Sequence, residues 1–194
     1  MAGSVFDSPL FARLFPTGEI GRLFTDSAEI RAMLLVEGTL AKVQGAQGVI
    51  PDLSAAAISR ATMEVQIDPG QLAQATGQNG VSVPGLVAAF RKEMQAPEHA
   101  QYLHWGATSQ DIQDSALMLR MRQVLEHYNT ALSAILSALG TLAETHAELP
   151  VAARTYSQYA TPTSFGAQAA AWGWPLLALR DELEAMKPAV LWVS

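Results

Sequence analysis

The chain of 194 residues contains no cysteine. That excludes a disulfide framework, a thiolate nucleophile and a Cys-ligated metal. Charge is scarce as well, at 15% of residues, and basic residues are the scarcer sign: 12 Lys and Arg against 18 Asp and Glu, a formal net charge of −6. A nucleic-acid backbone is an unsuitable partner for such a balance, because phosphate binding needs basic patches. No apolar run approaches the ~18 residues that a membrane span needs. Residues 1–13 have neither a basic n-region nor a long apolar h-region, so no signal peptide is expected. A cytoplasmic protein with no membrane and no nucleic-acid partner is the expectation. Gly-rich phosphate loops, Ser-His-Asp spacing and metal-ligand clusters are missing too. Metal is therefore not expected, and acid/base chemistry without a cofactor is what remains.

What the chain has in quantity is apolar side chain, 49% of residues. That is enough for a sizeable core, and the low charge points to burial against other subunits. The pattern is helical throughout. Residues 1–25, with Pro9, Pro16 and Gly18, read as an irregular arm. Asp26 or Ser27 can cap a helix over 28–48, with Ile30, Leu34, Leu40 and Val43 as its stripe and Glu37 between them. Pro51 ends it, and Ser54 can cap a short helix to about 65. Asp68-Pro69 starts another, 77–83 is a loop, and Pro84 opens a helix to about 95 that Pro97 ends.

The longest element predicted is a helix over 109–147. Its apolar positions, Leu117, Met121, Val124, Tyr128, Leu132, Ile135, Leu139 and Leu142, step by three and four in a heptad seam. A rod of ~38 residues is ~57 Å long at 1.5 Å per residue, which suits bundle or oligomeric packing. Residues 151–160 read as extended or irregular. Thr161-Pro162 can cap a second long helix over 163–187, with Phe165, Ala169, Trp172, Leu176, Leu179, Leu183 and Met186 on one face and a kink expected at Pro175. No strand is expected, and the class is all-α.

Two stretches carry possible chemistry. In His104-Trp105-Gly106-Ala107-Thr108-Ser109-Gln110-Asp111 a histidine, a glycine turn and two hydroxyls precede a helix start. Helix N-terminal amides and hydroxyl donors present positive ends to an anion, so the stretch suits a small organic acid. In 154–162, Arg154, Thr155, Tyr156, Gln158 and Tyr159 crowd into the connector between the long helices. An arginine grips a carboxylate through its planar fork, and Gln158 can orient a substrate oxygen. A polar connector that satisfies its own backbone is an equal reading of that cluster. Asn79 can bond a ligand, although 78–82 is a turn signal first. His127 and His146, within the long helix, read as structural, with no i, i+4 pair for zinc, and His99, in a loop beside Pro97-Glu98, carries little signal.

These residues resemble the fumarase/aspartase superfamily, whose members add or remove a group beta to a carboxylate. The resemblance runs over essentially the whole chain. Residues His104 to Asp111, continuing through Asp114-Ser115-Ala116, are similar to one region shared by the superfamily. Arg154-Thr155 through Pro162-Thr163-Ser164-Phe165-Gly166 are similar to another. Phe6-Asp7-Ser8-Pro9-Leu10-Phe11, Leu23-Phe24-Thr25-Asp26-Ser27-Ala28-Glu29 and Val36-Glu37-Gly38-Thr39-Leu40-Ala41 resemble its carboxymuconate-lactonizing branch. An adenylosuccinate-type lyase is the alternative within the superfamily. Such lyases place a histidine where this chain has Tyr156 and a His-Asp pair near Asn79-Gly80. A non-catalytic helical oligomerisation module is the alternative outside it.

The resemblance implies an N-terminal helical domain over 1–103 and the first long helices of an incomplete bundle over 104–194. It implies an intramolecular lactonization, in which one carboxylate of a tricarboxylic diene attacks a double bond, as in protocatechuate breakdown on the β-ketoadipate route. Thr108 and Ser109 would bind a substrate carboxylate, with Arg154, Thr155 and Gln158 opposite and Asn79 as a further binding residue. His104 would bind substrate or relay a proton, and Tyr156 stands where the familiar acid is. No cofactor is implied. Relatives are homotetramers whose sites draw one region from each of three subunits. Their third region, a Gly/Ser-rich loop, lies beyond position 194, so the chain reads as interrupted and as inactive or barely active by itself.

Overall fold

A computed structural model describes residues 3–193. It forms two compact units: one comprises the chain up to Met121 and from Trp192, the other Arg122–Leu191.

The first unit opens with a 3-10 turn, Val5–Asp7, capped by Ser4, and a short helix α1, Gly18–Arg22. Helix α2, Asp26–Ala46, is capped by Thr25, whose Oγ1 accepts the Ala28 N–H at 3.2 Å. The cap thus falls one residue before the expected Asp26 or Ser27. Thr25 holds the extended conformation a cap needs, and Asp26 and Glu29 then place negative charge in the positive first turn.

Helix α3, Asp52–Glu64, follows Pro51 with no side-chain cap. Ser54, expected to cap it, is buried and bonds His99 Nδ1 at 3.0 Å instead. Helices α2 and α3 pack closely because Gly38 has no side chain. A Cβ there would stand 2.3 Å from Thr62 Oγ1, well inside contact distance. A 3-10 turn, Pro69–Leu72, capped by Asp68, leads into α4, Ala73–Asn79. Helix α4 therefore takes up the first three residues of the loop expected over 77–83, and Gly80 ends it at φ 73°.

Helix α5, Val83–Met94, carries its proline in the first turn, where the missing N–H costs nothing. Gln95, in the left-handed region, ends it. Pro97 then opens a short helix α6, Pro97–Ala100, and does not act as the terminator expected. The buried core unites Met33 and Leu34 of α2, Ile58 of α3, Val83, Leu86 and Phe90 of α5, and Leu103, Ile112 and Ala116. Helix α7, Ser109–Thr145, has 37 residues, close to the length predicted. Within the first unit its Arg120 is buried, packs over the Phe24 ring and reaches Glu29 at 3.7 Å.

In the second unit, the connector after α7 is not free of strands. Strand β1, Pro150–Val151, pairs antiparallel with β4, Thr163–Ser164, and β2, Arg154–Thr155, pairs antiparallel with β3, Gln158–Tyr159. Each strand has two residues, too short to leave a period-two signature in the sequence. Helix α8, Phe165–Val190, is capped by Ser164, whose Oγ accepts the Ala167 N–H, and not by Thr161-Pro162. It starts against α7: a Cβ on Gly166 would lie 2.4 Å from the Ala143 carbonyl oxygen. Pro175 and Pro188 both lie inside α8. The all-α class stands, with these two short ribbons added. Much apolar surface stays outside: Leu117, Tyr128, Ile135 and Leu142 on α7, and Trp172, Trp174, Leu179 and Met186 on α8. No helix among the described residues is long and apolar enough to cross a membrane.

Candidate active site

The loop between α6 and α7 is held by side chains of two helices, α5 and α2. Arg91 of α5 donates from Nε to the Ala100 carbonyl at 3.2 Å and from Nη2 to the Leu103 carbonyl at 3.0 Å. Gln44 of α2 donates to the Trp105 carbonyl at 2.7 Å. Between these anchors His104 takes a left-handed backbone, φ 61°, with Gly106 at 72°. A non-glycine residue at such a φ costs of order 1–3 kcal/mol and persists only where its surroundings impose it.

The side chain of His104 points at α2. Its Nδ1 lies 2.6 Å from Glu37 Oε1, short even for a charge-assisted hydrogen bond. The Glu37 side chain is 1% exposed and the His104 side chain 19%. Burial pushes the Glu37 carboxyl above its ordinary range. The positive charge and hydrogen bonds that His104 offers oppose that rise, as does the Arg91 guanidinium. The other oxygen, Oε2, is buried with no partner among the described residues.

At the start of α7 the Thr108 N–H donates to Asp111 Oδ2 at 2.8 Å, one half of a capping box. Thr108 is exposed and Ser109 half-buried. One of the amides expected for an anion is thus bound by the chain's own carboxylate, while the hydroxyls border the same helix start.

The residues 154–159 form a two-residue hairpin. Tyr156 and Ser157 sit at its turn with φ 45° and 63°. Positive φ at both central positions is the signature of a type I′ turn, which normally takes Asn-Gly. The register pairs Thr155 with Gln158 and Arg154 with Tyr159. Side chains alternate along a strand, so Thr155 and Gln158 share one face and Arg154 and Tyr159 the other. Arg154 lies over the Tyr159 ring, 3.9 Å from its centroid. Tyr156, at the tip, is fully exposed.

The sequence candidates therefore gather as two groups in two units: His104, Thr108 and Ser109 in the first, Arg154, Thr155, Tyr156 and Gln158 in the second. Asn79 joins neither group by a hydrogen bond. It closes α4 by donating to the Ala75 carbonyl at 2.9 Å. Glu37, Arg91 and Gln44 are site residues that the sequence does not single out. Glu37 alone leaves a signal, a charge set inside an apolar stripe. Among the described residues no group of His, Asp and Glu is placed to hold a metal ion.

A family model described as lyase matches residues 16–191. The chain is 34% identical over 184 residues to 3-carboxy-cis,cis-muconate cycloisomerase of Pseudomonas aeruginosa, covering 94% of this chain and 40% of that protein. It is 36% identical over 171 residues to nitrosuccinate lyase of Streptomyces davaonensis, covering 87% of this chain and 36% of that one. The crystal structure of 3-carboxy-cis,cis-muconate lactonizing enzyme from Pseudomonas putida superposes with a TM-score of 0.89 at 33% identity, over 95% of this chain and 42% of that one. The chain spans about two fifths of the length of the relatives it matches.

Proposed function

This chain belongs to the lyase family of the fumarase/aspartase superfamily, and from that membership we propose that it serves the cycloisomerization of 3-carboxy-cis,cis-muconate. One carboxylate oxygen of the diene forms a C–O bond to a double-bond carbon. The π electrons move toward the carbon beside another carboxylate, and that carbon takes a proton from an acid, so that the tricarboxylate and one proton give the lactone dicarboxylate. The chain's part is to hold carboxylates, stabilise the enolate-like charge and handle the proton.

The observation that carries this reading is His104 fixed beside the start of α7. A titratable ring, hydroxyls of Thr108 and Ser109 and a positive helix end lie within six residues. His104 relays the proton, Thr108 and Ser109 bind one carboxylate, and Arg154, Thr155, Gln158 and Asn79 bind the remainder of the substrate. Tyr156, in place of a histidine acid, favours addition within one substrate over release of an amine. The exposed apolar seams of α7 and α8 support a homotetramer, with a cytoplasmic place in aromatic catabolism and no cofactor.

A second reading, elimination from a substituted succinate, is supported by the 36% identity to nitrosuccinate lyase. The test follows the ultraviolet absorbance of 3-carboxy-cis,cis-muconate, with the chain alone and with the chain joined after Ser194 to the remainder of the Pseudomonas putida enzyme. Loss of the diene by the joined protein, with little by the chain alone, is expected. Release of fumarate from nitrosuccinate without diene consumption would establish the second reading.

A further inference from the structure

We infer that Glu37 is the positioning residue of the His104 ring: it accepts the proton on Nδ1 and so leaves Nε2 as the nitrogen that exchanges a proton with substrate. The inference rests on the reading of His104 as a proton relay, but its geometry stands apart from the identity of the substrate.

Three observations converge on Glu37. First, it is the wrong residue for stability at its position. It stands in the core face of α2, 1% exposed, and one of its two carboxylate oxygens has no partner among the described residues. A buried oxygen left unpaired is costly, more so when charged, so the carboxylate is not explained by the packing of the core. Second, its hydrogen bond within the structure goes to His104, 67 residues away in sequence, at 2.6 Å. Third, the partner is held in a strained left-handed backbone by an arginine and a glutamine on two different helices. Costly groups kept together under strain mark a working arrangement more than a supporting one.

The chemistry follows from the ring. A neutral imidazole carries one N–H, and the bond made by one nitrogen decides which. A carboxylate at Nδ1 selects the Nδ1–H form and directs the Nε2 lone pair outward. It also stabilises the imidazolium that forms when Nε2 takes a proton, the role an aspartate plays behind the histidine of a serine hydrolase. A protonated Glu37 would do the reverse: it would donate to Nδ1 and leave the hydrogen on Nε2. The tautomer of His104 therefore reports the arrangement directly.

The experiment is long-range proton–nitrogen NMR on the 194-residue chain labelled with 15N-histidine, with His104→Gln used to assign the ring. The expected result is the Nδ1–H tautomer with its ring proton shifted far downfield by the short bond. In Glu37→Gln that downfield resonance is lost and the two tautomers mix, and Glu37→Asp recovers part of it. An Nε2–H tautomer in the unsubstituted chain overturns the inference even if no variant folds. So does an unchanged Nδ1–H signal in a folded Glu37→Gln. Failure of the muconate assay with the expected NMR result rejects the substrate and leaves the pairing of Glu37 and His104 intact.

Discussion

The Arg154 guanidinium stacks on the Tyr159 ring, 3.9 Å from its centroid, across the register of a two-residue hairpin. The ring holds flat a side chain that otherwise samples many rotamers, which presents its fork of donors in one orientation. An exposed stack of this kind is worth about 0.5–1 kcal/mol. Tyr159→Leu should therefore raise the KM for a carboxylate substrate several-fold with kcat little changed. Arg154→Lys should do more, because a point charge cannot replace the fork. Steady-state kinetics on the active form checks both, and an equal fall in kcat for Tyr159→Leu would place the ring in the chemistry.

The turn of the same hairpin is built against backbone preference. Ser157 stands at φ 63° and Tyr156 at 45°, where a Cβ is unfavourable. Ser157→Gly removes the conflict at one position and keeps the tyrosine. It should stabilise the hairpin by about 1 kcal/mol, seen as slower hydrogen exchange of the Ala160 amide, which donates to the Ala153 carbonyl. Unchanged or faster exchange would show that the turn gains something from the serine that outweighs its strain.

The long helices are legible in the sequence because their signal is repeated over many turns. Helix α7 begins at Ser109 as expected and ends two residues short of the expected end. Caps are less legible. Thr25, Ser164 and Pro51 hold positions for which the sequence offers near neighbours of similar propensity, and tertiary fit decides between them. The strands leave no trace because two residues carry no period. His104 can be singled out from local chemistry, since the glycine, the hydroxyls and the helix start are adjacent to it. Glu37 cannot be joined to it, because no local rule links positions 67 residues apart.

The approach of α2 to α3 sets where Glu37 faces, and it depends on Gly38. A methyl group at that position meets Thr62 Oγ1 at 2.3 Å, and Thr62 is 2% exposed with its hydroxyl bonded to the Ser59 carbonyl. Gly38→Ala gains helix propensity of about 1 kcal/mol yet should destabilise the fold by about 1–3 kcal/mol through overpacking. Thr62→Ala in the same chain should restore part of that loss. Urea unfolding of the two single variants and the double variant measures the coupling, and strict additivity would show that the helices separate freely.

Glu37 also gives the fold a defined dependence on pH. Its carboxyl is raised above 4.5 in the folded chain, chiefly by burial, with His104 and Arg91 as the charged groups acting against the rise. Between 4.5 and the higher folded value, the folded state holds more protons than the unfolded state. Stability from this group is therefore fully present below 4.5 and is lost as pH rises through the folded value. Glu37→Gln cannot titrate and lacks that loss. The difference in unfolding free energy, unsubstituted chain minus Glu37→Gln, should fall as pH climbs from 4.5 and then level off. Urea unfolding of both proteins at half-unit steps of pH measures it, and subtraction removes the titration of groups that Glu37 does not touch, leaving Glu37 together with its partner His104. A difference that rises with pH would mean that attraction to the His104 imidazolium outweighs burial and holds the carboxyl below its ordinary range.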